Sequence, residues 1–289
     1  MAQGEGQGAR AGGAGGGAGA LSLPIGVTSV GAACAHVLLT ADPIAKLMAA
    51  RATARAWRLG HLTHDFDVPM PDRPARPATP ELLPPAQMPR RGKIGSERAR
   101  IAMIHALAHI EFVAIDLAFD LIGRFGAQFP AAFTDEWMRV GADEAMHFAL
   151  LDRRLRQMGS HYGALPAHDG LWQAATETAD DALARLAIVP MVLEARALDI
   201  TPATVTRFED AGDEPTVKIL RRIIVDEIRH VRAGTNWFIE EANRRNLNPP
   251  IHYQMLVKRH FRGSVKPPFN DSARRQAGLT RDFYAALAT

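Results

Sequence analysis

Apolar residues recur every three or four positions over long stretches of the chain, the spacing of a helix with one buried face. Four such stretches stand out. From Ser96, a capping residue, to about Phe125, one face carries Ile104, Leu107, Ala108, Glu111, Ile115, Ala118 and Ile122. A second helix, from about Pro130 to Met158, aligns Trp137, Val140, Glu144, His147, Leu151, Leu155 and Met158. The third, from about Gly170 to Leu198, brings together Ala187, Met191, Glu194 and Leu198, with Pro190 expected to kink it one turn before Glu194. The fourth, from about Glu214 to Asn246, lines up Leu220, Ile223, Ile224, Glu227, His230, Val231, Gly234 and Trp237. Alternating, β-branched runs are scarce, so the pattern predicts an all-α protein with a four-helix bundle over residues 96–248.

The flanks read differently. Residues 1–20 are almost entirely Gly, Ala and Gln and predict a disordered tail. Residues 21–60 predict an N-terminal helical segment, punctuated at Ala41-Asp42-Pro43 with Pro43 at a first helical position. Residues 61–95 hold Pro69, Pro71, Pro74, Pro77, Pro80, Pro84, Pro85 and Pro89, too many for helix or central strand. They predict an extended strap that wraps the domain or crosses to a partner. Residues 249–289 predict a basic C-terminal extension packed on the bundle.

Each stripe carries charged or titratable residues where a core residue belongs, and these residues repeat. Asp143-Glu144-Ala145-Met146-His147 and Asp226-Glu227-Ile228-Arg229-His230 share the pattern Asp-Glu-x-x-His at an offset of 83. Glu144 follows Glu111 by 33 residues, and Glu227 follows Glu194 by 33. Four carboxylates and two imidazoles form the ligand set of a dinuclear metal site in a four-helix bundle, two helices giving a Glu each and two a Glu-x-x-His each. Carboxylates converging in an apolar interior repel one another and lose hydration, so they require protons or cations. Glu111, Glu144, His147, Glu194, Glu227 and His230 are therefore the expected metal ligands, and oxygen-rich ligation with one imidazole per ion suits iron or manganese better than zinc. Asp143 and Asp226 each precede a histidine by four residues and are expected to accept from the imidazole nitrogen that faces away from the metal.

Composition narrows the setting. With 289 residues and 47% apolar content the chain can bury a sizeable core. One cysteine, Cys34, leaves no intramolecular disulfide and fits a reducing compartment, and no run of eighteen apolar residues is present, so a cytoplasmic, non-membrane protein is expected. A net charge of +3 is far from that of a dedicated nucleic-acid binder. The excess is local: Lys258, Arg259, Arg262, Lys266, Arg274, Arg275 and Arg281 face only Asp271 and Asp282, a balance suited to a solvated surface or to an anionic substrate.

The strings His109-Ile110-Glu111, Asp143 to Phe148, Tyr162-Gly163 with Leu165 to Gly170, Glu194 to Asp199 with Thr201-Pro202, Asp226 to Val231, and Lys266 to Asn270 with Ala273-Arg274 resemble a ferritin-like family long catalogued as a conserved domain of unknown function. The resemblance covers most of residues 30–280 and implies a ferritin-like bundle with a di-metal site, most naturally two Fe ions with Mn as the alternative. Three function classes follow as expectations. The first is an oxidoreductase that activates dioxygen or peroxide, including a di-manganese catalase-like enzyme. The second is metal storage, which the long strap and basic tail suit poorly. The third is recognition of a nucleic acid, or its hybrid, hydroxylation of a modified nucleoside in transfer RNA. A small-molecule or nucleoside substrate, a reductase partner and a homodimer are the corresponding expected partners.

A few other residues invite roles. His161, Tyr162, His168 and Asp169 fall in the loop joining the two halves, where they line an entrance or serve as turn and cap. Trp237 shares a face with His230 as core or electron relay, and Arg196 points away from Glu194 towards a surface carboxylate or phosphate. His105 and His109 read as bundle-edge histidines. No tyrosine lies within the four ligand helices, which disfavours a stable tyrosyl radical beside the metals.

Overall fold

Local caps and apolar stripes set where most helices begin and end. The computed structural model describes residues 22–84, 87–89 and 95–289; the Gly/Ala-rich stretch 1–20 and strap positions 85–86 and 90–94 lie outside the described residues. Helix α1 (Val30–Leu39) is followed by α2 (Pro43–Arg58), where the Asp42 carboxylate accepts from the Ala45 N–H at 2.8 Å and Pro43 takes the first turn. Ser96 caps α3 (Glu97–Phe125) by accepting from the Ala99 N–H at 3.2 Å, and a short turn leads into α4 (Ala131–Gln157).

The third predicted helix is not one helix. It is α5 (Gly170–Glu177), then α6 (Ala182–Ile188), a π-helical turn Val189–Glu194, and α7 (Ala195–Asp210), which runs twelve residues past the expected end and through Pro202. Asp181 restarts the helix by accepting from the Leu183 N–H at 2.9 Å. Pro190 has no N–H, and its ring would collide with the carbonyl four residues back; a wider i to i+5 turn accommodates both where a simple kink was expected. The fourth is α8 (Glu214–Arg244), capped by Asp213, and α9 (Pro249–His260), α10 (Asp271–Gln276) and α11 (Arg281–Tyr284) complete the chain. Among the described residues no strand forms, and three isolated bridges are the only β pairings.

Helices α3, α4, α8 and the α6–π–α7 run form a helical bundle around a core that includes Phe112, Phe119, Phe148, Leu151, Leu186, Ile188 and Phe238, all fully buried. Helices α4 and α8 run antiparallel: Trp237 meets Glu136 at one end (2.8 Å), and Arg154 meets Thr216 (3.1 Å) at the other. Away from the centre of the bundle, α3 buries two carboxylates with their counter-charges. Asp116 receives Lys46 and Arg76, and Asp120 receives Arg124 and Arg185.

The strap packs along the bundle. Ala75 N–H donates to Leu38 O (2.9 Å), Trp172 Nε1 to Asp72 O (3.1 Å), Arg124 to Pro71 O (3.1 Å) and Leu83 N–H to Ala167 O (2.8 Å). The C-terminal segment is tied down by Arg274, buried and bidentate on Asp199 (2.9 and 2.7 Å), and by Tyr253, whose hydroxyl donates to Met191 O (3.1 Å). By length and composition Glu97–Gln128 passes for a membrane span, with a mean hydropathy of 1.7 over its most apolar window. Its sequence is not an unbroken apolar run, because Glu111, Asp116 and Asp120 interrupt it. This helix is the core of the bundle, 67% of that window is buried, and its three internal carboxylates are buried with partners.

Candidate metal centre

Glu111 projects from α3, Glu144 and His147 from α4, Glu194 from the end of the π turn, and Glu227 and His230 from α8. Ligand atoms of Glu111, Glu144, His147 and Glu227 all lie within 4.8 Å of one another, and this buried group could hold a metal ion. His230 reaches the same cluster: its Nδ1 is 2.8 Å from Glu144 Oε1 and 3.6 Å from Glu227 Oε1. The corresponding nitrogen of His147 sits 3.2 Å from Glu111, 3.5 Å from Glu144 and 4.0 Å from Glu227. Glu194 lies outside the group of four and joins it through the charges of Glu227, Glu144 and His230.

Three of the six candidate ligands carry buried polar atoms with no hydrogen-bond partner: both oxygens of Glu144, Oε2 of Glu194 and Nδ1 of His230. Buried polar groups are ordinarily satisfied, so such orphans at one point need an explanation. The Glu144–His230 contact is close but lacks hydrogen-bond geometry. A cation drawing on both atoms accounts for it, and the oxygen-rich donor set fits a hard or borderline divalent ion.

The charges tell the same story. Burial pushes the Glu111 carboxyl up to about 8 against the pull of His147, with Glu144 and Glu227 adding to the rise. Glu194 is raised well above its ordinary value by burial and then by Glu227 and Glu144, and Glu227 by burial and Glu144. Burial also raises Glu144, but His230 and His147 outweigh it and hold that carboxyl well below the usual range. For His147, burial favours the neutral ring, yet Asp226 and Glu111, which accept from its two nitrogens, and the nearby Glu144 carboxylate push it up to about 12; His230 is likewise raised, by Glu144, Asp143 and Glu227. Without a cation this pocket favours protons on both imidazoles and on Glu111, Glu194 and Glu227, with Glu144 ionised. Divalent ions would displace them.

The outer nitrogens correct the sequence expectation for the two aspartates. Asp143 does not serve His147, nor Asp226 His230. The pairs are crossed: His147 Nε2 lies 3.2 Å from Asp226 Oδ2, and His230 Nε2 lies 3.4 Å from Asp143 Oδ2. With each Nδ1 turned to the carboxylate cluster, the far side of each ring looks across to the antiparallel neighbour, where the other motif's Asp waits. The repeat thus folds as a near-symmetric pair that exchanges supports. Both aspartates also contact Arg229, and Asp226 takes Arg222 at 2.7 Å. Neither arginine was singled out from the sequence, although Arg229 lies inside the second motif, three residues after Asp226.

The remaining candidates serve the scaffold. His105 and His109 are buried, not at an edge: His109 contacts the Tyr162 hydroxyl (2.9 Å) and His168 O (3.1 Å), and His105 accepts from the Gly163 and Leu165 N–H groups (2.9 and 3.4 Å). Tyr162 packs on Phe112 and Phe148, the neighbours of Glu111 and His147. Asp169 pairs with Arg73, and the His168 ring accepts from the Gly170 N–H (3.2 Å), so these loop residues brace the strap and the start of α5. Trp237 stacks edge-on against Phe129 and Phe133 as core. Arg196 donates to Lys266 O (2.7 Å), a tether to the C-terminal segment. Burial raises the Cys34 thiol far above its usual range and leaves it inert.

Comparison with known proteins agrees on the family. A protein of Haemophilus influenzae described as "Uncharacterized protein" is 38% identical over 220 residues, covering 74% of this chain and 76% of that protein. No solved structure matches the chain. The family model described as "Protein of unknown function (DUF455)" matches residues 39–285, and the chain belongs to that family.

Proposed function

We propose that the chain is a di-metal carboxylate oxidoreductase on a ferritin-like bundle, binding two iron ions, or manganese in their place, and using dioxygen or peroxide to oxidise an organic substrate. The observation that carries this reading is the convergence of both Nδ1 atoms on buried carboxylates while both Nε2 atoms rest on crossed aspartates. Glu111 with His147 and Glu194 with His230 would each hold one ion, and Glu144 and Glu227 lie where they can serve both. Bound iron would supply reversible one-electron chemistry and Lewis acidity. The protein's share is to fix both imidazoles through Asp143 and Asp226, to keep bulk water from a site five of whose six ligands are almost fully buried, and to balance the charge of the cations with carboxylates. Anaerobic loading of metal-stripped protein with Fe(II), followed by exposure to air, tests the reading. It predicts uptake of about two ions per chain and new near-ultraviolet absorption on oxidation. Uptake without any spectral change would refute the redox assignment, and uptake of many ions per chain would indicate storage.

A further inference from the structure

We infer that the two halves of this centre are unequal: the half built on His147 and Glu111 takes the first cation and holds it more tightly, because Asp226 behind His147 is held by Arg222 and Arg229 while Asp143 behind His230 has Arg229 alone. The inference rests on the di-metal reading above and concerns the order and strength of binding.

The 83-residue repeat pairs Asp143 with Asp226 and His147 with His230, but it pairs Met146 with Arg229. Only one motif therefore supplies a guanidinium at this position. Asp226, the support of His147, has a side chain only 2% exposed and is held from both sides, by Arg229 and by Arg222 Nε at 2.7 Å. Asp143, the support of His230, is 22% exposed; Arg229 reaches it at 3.3 Å and His230 at 3.4 Å. Arg222 and its counterpart Arg139 are both exposed, but only Arg222 forms an ion pair with the aspartate of its motif among the described residues. A buried carboxylate held by two arginines keeps its imidazole to one orientation, whereas a more solvated one with a single arginine lets the ring rock.

A second observation points the same way. The four residues whose ligand atoms already lie within 4.8 Å of one another are built on His147 and Glu111 and include neither Glu194 nor His230. Glu111 is hydrogen-bonded to His147 at 3.2 Å, while the Oε2 of Glu194, at the end of the π turn, has no partner. One half is assembled before metal arrives; the other must adjust.

Titration of chelator-stripped, full-length protein with Mn(II) tests this, read by competition against a chromogenic chelator and by electron paramagnetic resonance. Two dissociation constants at least about tenfold apart are expected, in keeping with the effect of supports behind metal ligands, and one equivalent should give the signal of isolated Mn(II), replaced by a spin-coupled signal at two. Glu194→Ala should abolish the weaker event and leave the tighter constant within about threefold. Arg229→Met leaves Arg222 on Asp226 but strips Asp143, so it should widen the gap by about another tenfold. Met146→Arg, which supplies the missing guanidinium, should narrow it. Position 229 is exposed and position 146 half-buried, and thermal melts of the metal-free variants show whether the fold is intact. Equal constants in the native protein, or a gap unmoved by both Arg229→Met and Met146→Arg, would overturn the inference while leaving a di-metal centre standing. Failure to bind two ions at all would remove both.

Discussion

Glu111, Glu194 and Glu227 are held by burial towards their protonated forms, with Glu111 at about 8. A carboxyl whose folded value is raised contributes stability below its unfolded value that is lost as pH rises through the folded one. His147 and His230 are raised too, so their contribution has the same sign and is lost progressively from about pH 6.5 upward, as far as about 12 for His147. Metal-free protein should therefore lose stability between about pH 5 and about pH 8, while bound divalent ions replace the protons and reverse the loss. Thermal melts with chelator and with Mn(II), across that range, should show a gap in Tm that widens with pH. A gap constant in pH would contradict the account of these carboxyls. The crossed aspartates make a further residue-level prediction: Asp226→Ala should weaken metal binding about 10- to 100-fold and should also lower the Tm of the metal-free protein, because the buried His147 ring loses its acceptor. Binding unchanged in that variant would remove its supporting role.

At the level of elements, the π turn is what presents Glu194, and α8 makes room for it. Gly234 lies against Pro190 so closely that a Cβ there would stand 2.3 Å from the proline Cγ. Neither the proline ring nor the helix backbone can step aside cheaply. Gly234→Ala should cost about 1–3 kcal/mol of stability and, by shifting the turn, should weaken the metal event that depends on Glu194. Unaltered melting and metal binding would show that the turn tolerates displacement. The same region shows what a sequence can and cannot disclose. The Ser96 cap, Pro43 in a first helical turn, the apolar stripes of α3, α4 and α8 and the buried group Glu111, Glu144, His147 and Glu227 follow local patterns that are legible in the sequence. The break at 178–181, the π turn and the run through Pro202 arise because one packed run must accommodate two prolines beside α8, which helical periodicity does not encode. The crossed aspartates escaped for a related reason: the spacing of Asp143 and His147 describes one helix, while their partners are fixed by two antiparallel helices meeting.

Across the whole molecule, the C-terminal segment is tied to the bundle instead of trailing from it. Of the seven cationic side chains in the basic tail, Arg274 is buried on Asp199, Arg281 pairs with Asp271 and Arg262 with Glu177, so much of that charge is neutralised within the chain. Asp199→Ala would leave the Arg274 guanidinium buried without its carboxylate. Breaking such a pair costs about 3–5 kcal/mol, and the loss should appear as a lower Tm together with faster proteolysis after residue 248. An unchanged melt would mean that the C-terminal segment is only loosely docked.

The central claim is that six side chains from four helical runs surround two neighbouring cations. Anomalous diffraction from crystals of the Mn(II)-loaded protein tests it most directly. The account predicts two peaks about 3.5–4 Å apart, one beside His147 and Glu111, the other beside His230 and Glu194, with Glu144 and Glu227 between them. Peaks elsewhere in the protein, or none within reach of these residues at saturating metal, would contradict it.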